Sequence, residues 1–349
     1  MANLTVTAYH TRRAIKYGSI SLASFLILRI LWGIGSTYWN QVNPPPPPPP
    51  TIAFGKIPAI TFVQKENLPA FTYKLETIDG AAPKLETVGK VYLKPKPVAS
   101  LLALDRAKVL AKKLGFEKEP TKLTEREYRF QGENGNMTLD IDIISQKLKM
   151  RYDFAADQSI FTEKKLPGDD QAIMEAKNFL KQAELLAQDL EEGQAKVSFW
   201  RYIAPNLVPA ISLSEADLVR VDLFRANLDD FKILPPDPKE SAVSLVFSGV
   251  RTLNRRVVEL NYAYSAVNKE SFATYPLKSS TVAWQVVNEG KAFIASAGQN
   301  NGGQIIIRKA YMAYLDTDGT NDFLQPVFVF EGDKDFIAYV SAVDSKWTE

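Results

Sequence analysis

The sequence predicts an α+β protein held to a membrane by one N-terminal helix, and three features lead to that expectation. An apolar stretch runs from Tyr17 to Trp39 with a single internal charge. Seven consecutive prolines, Pro44 to Pro50, follow after four intervening residues. Beyond them, a helical period followed by alternating strand patterns recurs three times.

The apolar stretch comes first in the chain. At about 1.5 Å per residue it reaches roughly 33 Å, a match to a hydrocarbon core of about 30 Å. Ile20, Leu22, Phe25, Leu26, Ile27, Leu28, Ile30 and Leu31 supply its apolar surface, and Tyr17, Tyr38 and Trp39 suit the two headgroup regions. Arg12, Arg13 and Lys16 precede it, no Asp or Glu occurs before Glu66, and no basic residue lies between Arg29 and Lys56. The positive-inside rule then puts residues 1–16 in the cytoplasm and the rest beyond the membrane. An uncleaved anchor fits better than a signal peptide, because the apolar region is long, contains Arg29 and is followed by no Ala-x-Ala site. Arg29, near the middle of the span, costs roughly 2.5–3.5 kcal/mol to insert, which its apolar neighbours offset. It is the candidate for an intramembrane contact, against the plainer reading of an arginine that snorkels.

The proline run predicts a polyproline II stalk of about 3.1 Å per residue. The expected organisation is a cytoplasmic tail at 1–16, a transmembrane helix at 17–39, the stalk at 40–50, an extended region at 51–97, and α+β modules at 98–165, 166–275 and 276–349. The extended region carries the breakers Pro69, Pro83, Pro95 and Pro97 and a turn at Asp79-Gly80. In the first module, Leu101, Leu102, Ala107, Val109, Leu110 and Leu114 predict the apolar face of a helix over 98–114. Strands are expected at 127–130, 137–144 and 148–154, with the turn Asn134-Gly135 between the first two. The second module predicts a helix over 169–190, apolar at Ile173, Ala176, Phe179, Leu180, Ala183 and Leu186, then strands at 196–203, 218–224, 243–247 and 257–264. The third predicts a helix over 282–288 capped by Ser279-Ser280-Thr281, then strands at 304–315, 324–330 and 336–343. Helices followed by antiparallel strands argue for helices packed on one face of each sheet.

That helix-strand-strand-strand order resembles the PepSY-type module. The last unit also resembles the tail of YycH/YycI-type proteins, carried by Ala283-Trp284 to Gly290, Ala310-Tyr311-Met312-Ala313-Tyr314, Gln325-Pro326-Val327-Phe328-Val329-Phe330 and Ala338-Tyr339-Val340-Ser341-Ala342. The resemblance is clearest over residues 279–343, and the seven-proline stalk departs from it. It implies an anchored extracytoplasmic regulator acting by protein–protein contact at the cell envelope, and it carries over no catalytic residue.

Composition narrows the chemistry. The net charge of +2 without a basic block argues against nucleic-acid binding. There is no cysteine, and the one histidine, His10, precedes the apolar stretch. Disulfides, thiolate metal sites and Ser-His-Asp catalysis are thereby removed from everything after it. No cofactor is expected from the residues, and they leave a small-molecule ligand open. Asp316-Thr-Asp318-Gly319-Thr-Asn321-Asp322 has the wrong spacing for an EF-hand and predicts a hairpin turn. Asp140 and Asp142 alternate with Leu139, Ile141 and Ile143, so both are expected on a solvent face. Gly298 to Gly303 lacks a P-loop ending and predicts a loop, and Asn136-Met-Thr138 is a sequon in form at a turn. Trp200, Tyr202, Tyr262, Tyr264, Tyr311 and Tyr314 are the candidate surface for a partner or ligand, against the alternative that they pack within sheets. The functional expectation is a non-catalytic, single-pass membrane protein that binds or regulates a protein partner, with an envelope scaffold for glycan or peptidoglycan as the alternative.

Overall fold

The computed structural model describes residues 4–42, 49–62, 67–77, 84–96, 98, 100–317 and 321–349. Pro44 to Pro48, the Asp79-Gly80 turn, Pro83, Pro97 and residues 318–320 of the Asp316 segment lie outside the described residues. The chain divides into two units, Met1–Pro49 and Pro50–Glu349.

The first unit is one helix, α1 (Leu4–Val42), of 39 residues. Its segment Ala8–Trp39 is long and apolar enough to cross a membrane, and none of it is buried within the protein. The helix runs past the expected 17–39 at both ends. No Gly or Pro interrupts residues 4–16, whereas the prolines after Asn43 forbid continuation. Ser19 donates to the Lys16 carbonyl, and Ser36 and Thr37 donate to the Gly33 carbonyl, so these hydroxyls are satisfied inside the helix.

The second unit begins with β1 (Phe71–Leu75), β2 (Val88–Leu93), α2 (Ala103–Lys113), β3 (Thr121–Lys122), β4 (Glu127–Gln131), β5 (Met137–Asp142) and β6 (Leu148–Tyr152). It continues through α3 (Asp169–Gln182), α4 (Gln188–Glu191), β7 (Ala195–Ile203), β8 (Asn206–Pro209), β9 (Leu218–Leu223), β10 (Ile233–Leu234), β11 (Val243–Ser248), α5 (Leu253–Arg256), β12 (Val257–Tyr262) and β13 (Phe272–Pro276). It ends with α6 (Ser280–Asn288), β14 (Phe293–Ser296), β15 (Gly303–Leu315), β16 (Phe323–Gly332) and β17 (Phe336–Ser341).

These strands make two sheets. A nine-stranded sheet runs β3-β4-β5-β6-β12-β11-β9-β7-β8, all antiparallel. An eight-stranded sheet is built on β1-β15-β16-β17-β14, with β10 parallel to β15, and β2 joining β16 to β13. The expected modules at 98–165 and 166–275 thus share one sheet, because β6 pairs with β12 through Leu260↔Met150. An open β6 edge would leave a row of backbone donors and acceptors unpaired. The strands of the third expected module recruit β1, β2, β10 and β13 from earlier in the chain. The parallel pairing of β1 with β15, Phe71↔Gly303 to Leu75↔Ile307, has no counterpart in the sequence expectations.

The helices lie on the sheets through small residues. Ala107 and Ala111 of α2, with Ala172, Ala176 and Leu180 of α3, pack against Phe130, Leu139, Met150, Val221, Leu245 and Leu260 of the nine-stranded sheet. Of the face expected for the first helix, Ala107, Leu110 and Leu114 turn to the core, whereas Leu101, Leu102 and Val109 are exposed, and Ala103 and Ala111 are buried in their place. The second expected helix is split, because Glu184 takes a positive φ of 60° after Gln182. In the other sheet, Ala283 and Val287 of α6 pack over Tyr275, Ile305, Phe328 and Phe330. The opposite face holds Phe293, Val327, Val329 and Tyr339 beneath Ile60, Phe62 and Leu234.

Candidate functional site

Four charged side chains, all within the second unit, meet where strands of the two sheets end. Arg225 follows β9 of the nine-stranded sheet, and Asp189 lies in α4. Asp316 follows β15 and Lys94 follows β2, both of the eight-stranded sheet. Gly193 lets the two chain segments on the first side approach. A Cβ there would sit 1.9 Å from the Phe224 carbonyl oxygen and 2.9 Å from the Ala226 nitrogen. The Ala226 amide donates to the Asp189 carbonyl at 2.7 Å, which fixes Arg225 between them.

The geometry is a chain of charge-assisted hydrogen bonds. Arg225 Nε donates to Asp189 Oδ2 at 2.7 Å and Nη1 donates to Asp316 Oδ2 at 2.7 Å. Nη1 also donates to the Ser265 carbonyl at 3.1 Å. Lys94 Nζ donates to Asp316 Oδ1 at 2.5 Å and to the Thr317 carbonyl at 3.1 Å. The side chains of Lys94, Arg225 and Asp316 are only 5%, 8% and 10% exposed. The Tyr264 ring lies under the guanidinium, 4.8 Å from centroid to Cζ. Burial works against the Arg225 charge, but the Asp316 and Asp189 carboxylates outweigh it and hold the guanidinium pKa above its ordinary value. Tyr264 is pushed up by burial, with Arg225 opposing and Asp189 assisting.

Two cations face two carboxylates, and Asp316 accepts from both cations. The arrangement joins the two sheets by directional bonds and exposes no activated nucleophile. Beside it is a cavity of about 140 Å³ lined by Asp189, Arg225, Asn227, Tyr264 and Lys269. Pockets for drug-sized ligands measure roughly 300–1,000 Å³. Asp189 Oδ1 and Thr317 Oγ1 are buried without a hydrogen-bond partner among the described residues. No group of three His, Cys, Asp or Glu able to hold a metal occurs among the described residues.

The structure scatters the aromatic candidates. Trp200 donates its indole N–H to Ser198 Oγ at 2.9 Å, and Tyr202 stacks on Phe161 at 4.9 Å, both in the nine-stranded sheet. Tyr262 is buried on the helix-covered face and donates to the Leu185 carbonyl at 2.9 Å. Only Tyr264 of this set reaches the charged junction. Tyr311 donates to Glu331 Oε1 at 2.6 Å with Lys232 over its ring. Tyr314 is buried, edge-on to Tyr92 at 5.6 Å. Tyr92 in turn donates a short hydrogen bond to Asp229.

The carboxylate candidates separate as well. Asp140 takes a bidentate bond from Arg129 at 2.7 and 2.8 Å. Asp142 accepts from the backbone of Ile144 and Ser145 and from Arg126. Asp316, expected in a hairpin turn, follows β15 where that strand pairs antiparallel with β16, and it is buried in the junction beside the two cations that its neighbours in space supply. Its sequence signal was the carboxylate cluster itself; Arg225, Asp189 and Lys94 carried none. Gln299 and Asn300 of the Gly298 loop bond the Lys334, Ala297 and Asp333 carbonyls. Arg29 is exposed on α1, which contains no Asp or Glu. No protein-family model matches this chain, and no curated protein matches it.

Proposed function

We propose that this chain is a single-pass membrane protein that carries its second unit on the extracytoplasmic side, where it binds or regulates a protein partner at the cell envelope without catalysis. The carrying observation is α1. It combines an exposed apolar segment, Ala8–Trp39, with the basic residues Arg12, Arg13 and Lys16 gathered near its N-terminal end and Arg29 alone further along. An apolar surface of that length is stable in a bilayer, and the Arg12, Arg13 and Lys16 cluster favours retention on the cytoplasmic side.

The second unit supports a contact role. Its two sheets are tied by buried ion pairs that favour one arrangement of the sheets over others. A unit held in that way presents fixed sheet edges and helix faces, the surfaces used by peptide- and protein-binding domains. The resemblance of residues 279–343 to anchored regulators points in the same direction. Arg29 supplies a candidate contact in the membrane, and its carboxylate partner would come from another helix.

Extraction of tagged full-length protein in mild detergent, beside Arg29→Leu, tests the reading. A specific membrane protein is expected with wild type, at a recovery lowered by the substitution. Equal recovery with both proteins removes the Arg29 contact. Retention on purified cell wall, with no specific protein partner, overturns the regulatory reading in favour of a scaffold.

A further inference from the structure

Helix α2 and the segment before it leave several apolar side chains on the surface. Leu101 is fully and Val98 largely exposed, and Leu102 and Val109 exceed one half, while Ala103, Ala107 and Ala111, with Leu110 and Leu114, occupy the sheet side. Leu102, Arg106, Val109 and Lys112 follow one another at intervals of three or four residues, so they share one outward stripe.

Charge says what covers this stripe. Residues 103–113 carry four cations against one carboxylate, Asp105. Glu119 engages Lys108 and Glu184 engages Lys113. Arg106 and Lys112 form no ion pair among the described residues, and both are exposed. Apolar residues bordered by free cations match a lipid surface that carries anionic headgroups, where the former enter the acyl boundary and the latter meet phosphates.

Chain length supplies an independent argument. Thr51 follows Trp39 by twelve residues, and at no more than about 3.6 Å each these span at most about 43 Å. Such a tether keeps the second unit at high local concentration near the bilayer, so a patch too weak to bind lipid alone suffices. We infer that Val98, Leu101, Leu102 and Val109, with Arg106 and Lys112, form a docking surface for the anionic face of the bilayer that α1 crosses. The inference rests on the anchor reading above.

The absence of cysteine makes the test clean, since one introduced thiol carries the only label. Full-length Leu101→Cys, carrying an environment-sensitive fluorophore, is reconstituted in phosphatidylcholine vesicles with and without phosphatidylglycerol and with a lipid-borne nitroxide quencher. Val282→Cys, at an exposed apolar position of α6, is the control. Blue-shifted emission and at least about twofold stronger quenching at 101 than at 282 are expected in anionic vesicles. Arg106→Glu with Lys112→Glu, in the Leu101→Cys background, should reduce that quenching towards the value in neutral vesicles.

Equal quenching at the two positions, in protein that resists alkaline extraction, overturns the docking inference and leaves the anchor standing. A blue shift at 101 without quenching indicates cover by a second copy of the chain and overturns it too. Protein stripped from the vesicles by alkali refutes the anchor, and the docking inference with it.

Discussion

Arg225→Met is the perturbation that bears most directly on how the second unit is held together. The guanidinium is 8% exposed and bridges Asp189 and Asp316, each at 2.7 Å. Methionine keeps much of the volume and removes the charge, so Asp189 loses its cation while Asp316 keeps only Lys94. Breaking a buried pair by removing one partner costs about 3–5 kcal/mol, a large share of a typical 5–15 kcal/mol. For a domain of this size that is a fall of roughly 10 °C in Tm. Adding Asp189→Asn should recover part of the loss, because it restores charge balance and leaves the Lys94–Asp316 pair intact. Coupling of about 1–3 kcal/mol is expected between the two substitutions. Urea unfolding in detergent micelles, followed by near-ultraviolet circular dichroism, measures all three variants. A single-variant loss below about 1 kcal/mol, within the range of exposed pairs, would refute the reasoning. So would a double variant whose losses simply add.

Two further perturbations test other parts of the packing. Gly298 has a φ of +61°, and a Cβ there would lie 1.8 Å from the Lys334 carbonyl oxygen. Gly298→Ala should therefore destabilise the second unit by about 1–3 kcal/mol in the same urea assay, and an unchanged midpoint would contradict this contact. Tyr262 is pushed up to about 12 by burial, with Asp189 adding to the shift and Arg225 opposing it. In the unfolded chain the phenol ionises near pH 10, while the folded state keeps its proton. The stability this residue contributes is intact below about pH 10 and falls as pH rises towards 12, by about 3 kcal/mol over that window. Tyr262→Phe should flatten the alkaline limb of the stability curve, and an identical limb in the variant would exclude Tyr262 as its source.

Local pattern made much of this fold legible. The strands at Met137–Asp142, Val243–Ser248 and Gly303–Leu315 follow alternation or apolar runs that strand periodicity predicts, and Ser279 caps α6 as its side chain suggests. Pairing was not legible. The β6–β12 and β1–β15 contacts join segments more than a hundred residues apart, and no local period encodes them. The buried face of α2 was legible only in part: Ala107, Leu110 and Leu114 meet the sheet, but Ala103 and Ala111, which let the helix sit close to it, take the place expected for Leu101, Leu102 and Val109. The charged junction was hidden because Lys94, Asp189, Arg225 and Asp316 look like ordinary surface residues until the fold converges them. The apolar segment of α1 was the plainest signal, because its length and composition are read without any tertiary partner.

The orientation of the chain across the membrane is the central claim, and impermeant labelling of a single introduced cysteine in intact cells tests it most directly. Lys346→Cys lies at an exposed position near the end of the second unit, and Tyr9→Cys lies before the apolar core of α1. A membrane-impermeant maleimide should label position 346 in intact cells and position 9 only after lysis. Label at position 9 with protection at 346 would place the second unit in the cytoplasm and contradict the account.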